Sequence, residues 1–113
     1  MTNLKFYKKN NNIVGFDCFG HSGYAEMGAD VVCAAISSLV QNAEIALSEV
    51  LGVKTSVKRN DKNAEFCLKI AKTESEENIE KSQPILKALE ISAQRIEKEY
   101  KKYLKVEEVY EIV

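Results

Sequence analysis

The residues of this sequence that could do covalent chemistry are three cysteines and a single histidine. Cys33 lies three positions after Asp30, near the start of a segment whose apolar periodicity predicts a long helix. We expect the carboxylate of Asp30 to cap that helix, which places Cys33 in its first turn. Unpaired N–H groups and the helix dipole favour a thiolate there, and the thiolate is the nucleophilic form of cysteine.

His21 precedes Cys33 by twelve residues and stands where a glycine-rich segment begins. Three of the five glycines, Gly20, Gly23 and Gly28, belong to this segment, a density typical of a mobile or tightly turning loop. The loop is long enough to bring the imidazole back to the sulfur, although the spacing does not require it. The two side chains have the types found in cysteine–histidine dyads, in which a base activates the nucleophile.

Each of these residues also has an ordinary structural interpretation. A cysteine among valines and alanines is more often a small core residue than a nucleophile, and a lone loop histidine is usually a surface residue. From the residues alone, both interpretations of Cys33 and His21 stay open. Strand alternation predicts that Cys18 lies in the core together with Val14 and Phe16.

A zinc site is a further alternative, because the chain has three thiols and one imidazole. The candidate ligands are Cys18, His21, Cys33 and Cys67. Residues three apart on a strand point to opposite faces, which separates Cys18 from His21, and no C-x2-C pair occurs. Cys67 is expected on the polar side of its strand. We therefore predict no metal and no cofactor.

The hydrophobic pattern predicts elements in the order ββαββαβ. Two short strands with a polar loop at residues 9–12 come first, and the long helix that follows ends at Gly52. A second hairpin and an acidic connector at residues 73–78 lead to a second helix, and a last strand covers residues 104–113. This order predicts one α+β domain, residues 1–113, with a mostly antiparallel sheet and two helices on one face.

The second helix is expected to present one apolar stripe, because apolar residues recur at spacings of four and three. Its members are Ile79, Ser82, Leu86, Leu89, Ala93, Ile96, Tyr100 and Tyr103. Pro84 should either start this helix or kink it, since proline lacks an N–H and clashes one turn back. The first strand of the second hairpin is expected to carry Val53, Thr55 and Val57 at alternating positions.

Composition and charge exclude several functional classes. The net charge of −1 and the pI near 5.9 offer no general attraction to nucleic acid or to anionic membranes. Polar residues interrupt the most apolar stretch, Val31 to Leu51, so we expect no membrane span.

An odd number of cysteines without an export signal indicates free thiols in a reducing compartment, and we expect a cytoplasmic protein.

The segment GHSGYAEMGADVVCAAISSL, residues 20–39, resembles the signature of the ribosomal-processing cysteine proteases, the Prp family. That signature has a histidine after glycine, a short loop ending in Gly-x-Asp, and a cysteine three residues past the aspartate, followed by two alanines and two serines. The matching positions in this sequence are His21, Gly28, Asp30, Cys33, Ser37 and Ser38. The resemblance extends over essentially the whole chain.

The resemblance implies an endopeptidase that removes a short N-terminal extension from a bacterial large-subunit ribosomal protein. Members of the family cut beside a hydrophobic stretch with paired phenylalanines and form homodimers. By resemblance, Cys33 attacks the scissile carbonyl and His21 transfers the proton. Asp30 either orients His21 or only caps the helix, and Ser37 supports the site by hydrogen bonding.

The resemblance also assigns a role to the glycine-rich loop. Residues 22–29 would form a lid over an extended substrate peptide, with Ser22, Gly23 and Gly28 in contact with it. The alternative of a different class is a non-catalytic ribosome-assembly factor that binds the same extension without cutting it.

Overall fold

The computed structural model describes residues 1–20, 27–62 and 64–111, except for the side chains of residues 27–30. The elements follow the predicted order ββαββαβ. They are β1 (Thr2–Lys9), β2 (Asn12–Phe19), α1 (Met27–Ile45) with a π-helical turn (Ala46–Val50), β3 (Thr55–Asn60), β4 (Glu65–Ile70), α2 (Glu76–Glu99) and β5 (Leu104–Tyr110).

The strands of the described ranges form one mixed sheet in the order β3-β4-β2-β1-β5. β1 pairs antiparallel with β2, β2 with β4, and β4 with β3, whereas β5 joins parallel to β1. The predicted α+β class with a mostly antiparallel sheet is confirmed. The core lies between the sheet and the helices, and its largest fully buried side chains are Leu4, Phe6, Ile13, Phe16, Ile36, Leu47, Leu68, Leu86 and Leu104.

A two-residue turn joins β1 to β2. Its residues, Asn10 and Asn11, have φ angles of 52° and 66°. Positive φ at both positions is the geometry of a type I′ turn, which matches the twist of the strands and which asparagine tolerates well. The predicted polar loop between these strands is therefore confirmed.

A β-bulge in β2 reverses the predicted side of Val14. Tyr7 pairs with Gly15 and Lys8 pairs with Ile13, so Val14 is an extra residue between them. The extra residue shifts the alternation by one position, and Ile13 is buried with 1% of its surface exposed. The prediction that Val14 faces the core is wrong, while the other core positions predicted for this strand are buried as expected.

The start of α1 lies earlier than predicted. The helix begins at Met27, so Asp30 lies inside its first turn and the prediction that Asp30 caps it is wrong. Gly28, predicted in the loop, is helical as well. Cys33 is consequently the seventh helical residue and belongs to the second turn. The apolar periodicity becomes visible only at Val32, and such a pattern does not mark the first turn of a helix.

The far end of this helix matches the prediction. Leu51 N–H donates to the carbonyl of Ala46 at 3.0 Å, and Val53 N–H donates to the carbonyl of Leu47 at 2.8 Å. Gly52 has a φ of 67°, which glycine adopts without the strain that a Cβ would impose. The predicted glycine at the C-terminal end of the helix is confirmed.

Within the described residues, Val31–Val50 is long and apolar enough to span a membrane by length and composition alone, with a mean hydropathy of 1.4. The polar interruptions seen in the sequence do not remove that property. In this fold the segment supplies a buried stripe to the core. The stripe consists of Val32, Ile36, Val40, Ala43 and Leu47. This packing accounts for part of its apolar character, while Val31, Ile45 and Val50 of the same segment are exposed.

α2 begins within the predicted connector. Ser75 is its N-cap, and Ser75 Oγ accepts a hydrogen bond from Asn78 N–H at 3.2 Å. The predicted connector, residues 73–78, is therefore too long by a helical turn. Pro84 is the ninth residue of α2 and does not start it. The helix continues through Pro84, and the carbonyl of Glu80 loses its usual helical donor there.

Other predicted apolar positions lie outside the element or face expected of them. α2 ends at Glu99, so Tyr103 lies in the following turn, where its N–H donates to the carbonyl of Tyr100 at 2.8 Å. β3 begins at Thr55, so Val53 lies before the strand, and Val57 of this edge strand is 40% exposed. Residues 112–113 of the predicted last strand lie outside the described part of the chain.

Gln83 of α2 takes the place of a strand neighbour beside β2. Its Oε1 accepts from Ile13 N–H at 2.7 Å, and its Nε2 donates to the carbonyl of Ile13 at 3.0 Å. The pairing of β4 with β2 extends only to Gly15 and Lys69, so β4 does not reach Ile13. Gln83 is buried, and its amide satisfies two backbone groups that water would not reach.

We expect Gln83→Leu to lower the free energy of unfolding by about 2–4 kcal/mol, because two buried backbone groups lose their partners. Urea denaturation followed by circular dichroism measures this change. Gln94→Leu removes the same amide from an exposed position of α2 and should change the stability by less than about 0.5 kcal/mol. Equal midpoints for the two variants would show that the Gln83 amide contributes nothing to stability.

Candidate active site

A cavity of about 330 Å³ opens beside the second turn of α1. Its floor is apolar and its rim is polar, since the buried lining residues are mostly hydrophobic and the exposed ones are mostly hydrophilic. The lining residues are Thr2, Cys18, Gly20, Cys33, Ile36, Ser37, Val40, Gln41, Arg59, Asp61, Ala64, Glu65 and Phe66. Two residues predicted for the site, Cys33 and Ser37, are therefore brought together.

Cys33 reaches the cavity from α1 and is partly exposed. Its Sγ lies 3.4 Å from Oγ1 of Thr2, which is 31 residues earlier in the chain. Because Cys33 is in the second turn, the free N–H groups of the helix start lie farther from the sulfur than predicted. The effect of the helix dipole falls off within about one turn, so Cys33 lies beyond its strongest part.

Ser37 lies one helical turn after Cys33, on the same face, as predicted. Gln41 Nε2 donates a hydrogen bond to Ser37 Oγ at 2.7 Å, which orients the hydroxyl group. The hydroxyl hydrogen of Ser37 is then available to an acceptor in the cavity, such as a peptide carbonyl. This arrangement suits a supporting role in peptide binding.

The other two thiols have environments that disfavour a thiolate. Cys18 is buried below the cavity, and burial raises the pKa of its thiol to about 11, with a further contribution from negative charge on Cys33. Burial raises the pKa of Cys67 to about 12, together with the carboxylates of Asp17 and Glu65. The predicted core position of Cys18 and the predicted polar surroundings of Cys67 are both confirmed.

The fold separates the ligand set of the zinc alternative. Cys67 pairs with Asp17 across β4 and β2, whereas the next pair along, Phe66 and Cys18, is buried in the core. Since neighbouring strand residues point to opposite faces, Cys67 and Cys18 lie on different sides of the sheet. Among the described residues, no group of three or more cysteine or carboxylate side chains is arranged to bind a metal ion.

Charged residues of the second hairpin form one rim of the cavity. The guanidinium of Arg59 lies 5.5 Å from the centre of the Phe66 ring, and its Nε is 3.7 Å from Asp61 Oδ1. Glu65 lies 3.6 Å from the ammonium group of Lys58. Sequence reasoning treated these residues as an ordinary hairpin and turn. No local pattern marked them, because their place beside the site depends on how the hairpin joins the sheet.

Gly20 leads from β2 to the predicted catalytic histidine. Its φ is +90°, and a Cβ at this position would lie 2.7 Å from the carbonyl oxygen of Met1. Only glycine fits this close approach without strain. His21 follows directly, but His21, Ser22 and Gly23 lie outside the described residues. The pairing of His21 with Cys33 therefore stays a prediction.

Comparison with known proteins identifies the family. The sequence profile described as cysteine protease Prp matches residues 1–105. The chain belongs to the Prp family of cysteine proteases. A ribosomal processing cysteine protease Prp of Bacillus subtilis (strain 168) is 28% identical over 94 residues, which cover 83% of this chain and 84% of the relative.

Solved structures of the Prp family share the fold. The Prp of S. aureus in complex with a substrate peptide superposes with a TM-score of 0.82 at 21% identity, covering 98% of this chain and 100% of that one. The same S. aureus protease with a covalently linked product peptide gives a TM-score of 0.80 at 22% identity, covering 96% and 100%. This Prp-family chain is thus a cysteine protease with the expected architecture.

We expect limited alkylation by iodoacetamide at pH 8 to modify Cys33 before Cys18 or Cys67. The thiolate is the reactive form, and a thiol with a pKa of about 11 is charged in about one molecule in a thousand at that pH. Labelling of Cys18 and Cys67 should rise about tenfold per pH unit below their pKa values. Mass spectrometry of tryptic peptides measures the labelling. Equal labelling of Cys67 and Cys33 would contradict the prediction that Cys33 is the most reactive thiol.

Proposed function

We propose that the protein is an endopeptidase that removes the N-terminal extension of a bacterial large-subunit ribosomal protein, with Cys33 as nucleophile and His21 as general base. The observation that carries this proposal is the position of Cys33, a partly exposed thiol in a cavity of a Prp-family protease. The other two thiols are disfavoured as nucleophiles by their raised pKa values.

The proposed reaction is acyl transfer through a thioester. Cys33 sulfur adds to the scissile carbonyl carbon, and its proton passes to His21 and from there to the leaving amine. Water then adds to the thioester with His21 as base, which releases the new carboxylate and restores the Cys33 thiol. Ser37 is proposed to support the peptide by hydrogen bonding, and Asp30 is proposed to orient His21.

The proposed substrate follows from the related proteins and from the cavity. The B. subtilis relative is named a ribosomal processing protease, and the S. aureus protease has been solved with a substrate peptide. In this chain the cavity floor is apolar, with Ile36, Val40 and Phe66 among its residues. Such a floor suits the bulky apolar side chains of an extension with paired phenylalanines. Ser22 and Gly23 are proposed to contact the peptide from the loop.

We also propose that the protein acts in the cytoplasm as a homodimer. The support for the dimer is the family resemblance, and the support for the compartment is the set of free cysteines. Light scattering coupled to size-exclusion chromatography tests the dimer, since a mass near the 12.7 kDa of a single chain at micromolar concentration would contradict it.

Cleavage of a synthetic peptide of the extension, read as product masses, separates the protease from a non-catalytic assembly factor that binds the same extension. We expect wild type to cut and Cys33→Ala and Cys33→Ser to fold normally without cutting. Cys18→Ala and Cys67→Ala serve as matched controls and should retain cleavage. Loss of activity in a folded Cys67→Ala variant would contradict the assignment of a single nucleophile.

His21→Ala should lower the cleavage rate by at least about 10²–10⁴-fold, because proton transfer and thiolate formation both lose their base. The chain has no second histidine to replace it. Steady-state kinetics with the same peptide measures the loss. A His21→Ala variant that keeps more than about a tenth of the wild-type rate, far above that range, would show that His21 is not the base.

A further inference from the structure

The hydroxyl group of Thr2 lies beside the thiol that the proposed function makes the nucleophile. Thr2 opens β1, where Thr2, Leu4 and Phe6 alternate toward the core, and only 4% of its surface is exposed. Thr2 N–H donates to the carbonyl of Tyr103 at 2.9 Å, and Thr2 pairs with Leu104 of β5. The backbone of Thr2 is therefore fixed by the sheet rather than free to move as a chain end.

The side chain of Thr2 is buried beside Cys33. Threonine is branched at Cβ, which restricts its χ1 angle. Oγ1 lies 3.4 Å from Cys33 Sγ, a distance suited to a hydrogen bond involving sulfur, and either atom can be the donor. A thiolate is an acceptor only, so once Cys33 is ionised the hydroxyl of Thr2 is the donor.

Cys33 needs such a donor because of where α1 begins. The free N–H groups belong to the first turn, residues 27–30, whereas Cys33 lies in the second turn. Cys18 also lines this cavity, and the described residues supply no hydrogen-bond donor to its sulfur. Burial raises the pKa of this thiol to about 11. A hydrogen bond donated to a thiolate has the opposite effect and favours the charged form.

We propose that Thr2 is a positioning residue for the nucleophile, whose Oγ1–H donates to the Cys33 thiolate, stabilises it and fixes the direction of the sulfur toward the cavity. This inference rests on the proposed function of Cys33. It gives a residue of β1 a part in activating a cysteine 31 residues later in the chain.

The described residues contribute four charged or titratable groups to the cavity besides Cys33. They are Cys18 from β2, Arg59 from β3, Asp61 from the turn and Glu65 from β4, while His21 is proposed to approach from the loop. Arg59 pairs with Asp61, and Glu65 pairs with a lysine of β3. Replacing the hydroxyl of Thr2 by a methyl group removes none of these groups.

The test compares Thr2→Val with Thr2→Ser in the full chain. Thr2→Val keeps the shape and removes the hydroxyl, whereas Thr2→Ser keeps the hydroxyl. We expect Thr2→Val to slow alkylation of Cys33 about tenfold at pH 7, with a deficit that disappears as the pH rises and the thiolate forms without help. Thr2→Ser should restore the wild-type pH profile. Mass spectrometry identifies the labelled cysteine, and thermal unfolding confirms that each variant is folded.

A matched control removes a similar hydroxyl contact elsewhere. Thr55 Oγ1 lies 2.9 Å from Ser48 Oγ, and Thr55 does not line the cavity. Thr55→Val should therefore leave the alkylation profile of Cys33 unchanged. A folded Thr2→Val variant with the wild-type profile would overturn the inference, and so would a Thr2→Ser variant that behaves like Thr2→Val.

Peptide cleavage by the same variants separates this inference from the proposed function. If the protease assignment holds, Thr2→Val should lower kcat/KM for the extension peptide about tenfold near pH 7, and Thr2→Ser should recover it. If alkylation of Cys33 depends on Thr2 as expected but the wild-type protein cuts no peptide, the proposed function fails. The role of the contact between Thr2 and Cys33 then still stands. If Thr2→Val cuts the peptide with the wild-type kcat/KM, the role of Thr2 is overturned and the proposed function stands.

Discussion

The pairing of β1 between β2 and β5 is the constraint on which the site depends. Thr2 pairs with Leu104 on one side, and Asn3 pairs with Phe19 on the other. This register places the start of β1 beside the end of β2, where Gly20 passes close to the carbonyl of Met1. The contact of Thr2 with Cys33 and the residue that precedes His21 therefore lie at the same end of these two neighbouring strands.

The second requirement is that α1 lies across the sheet with one face buried. Its apolar stripe, which includes Val32, Ile36 and Val40, holds the helix against the strands. Cys33 and Ser37 follow this stripe by one position at each turn, so the packing that buries the stripe also directs them to the cavity. Core packing and the placement of Cys33 and Ser37 at the cavity are thus set by the same helix rotation.

The sheet also divides the cysteines between different environments. Cys18 and Cys67 lie on opposite faces, and burial raises the pKa of both thiols, while the carboxylates of Asp17 and Glu65 raise that of Cys67 further. Cys33 belongs to α1 and not to a strand, and it lines the cavity with its side chain partly exposed. The three free thiols therefore occupy three different environments, and only that of Cys33 combines partial exposure with a place on α1.

The sequence by itself determined the features that depend on residues close together in the chain. The periods of strands and helices predicted the order ββαββαβ, the glycine at the end of α1, and the placement of Cys33 and Ser37 on one helical face. These predictions succeed because apolar spacing and turn chemistry act over a few residues. The motif around His21 and Cys33 was sufficient to indicate the family that the sequence profile confirms.

Only the tertiary structure decided the features that depend on register and packing. The bulge at Val14, the true start of α1 at Met27 and the exposure of Val57 on an edge strand leave no local signal. The contact between Thr2 and Cys33 spans 31 residues, and it exists because the register of β1 and the packing of α1 bring two distant positions together. Local patterns fix which residues share a face, but the pairing of strands and the rotation of helices decide which faces meet.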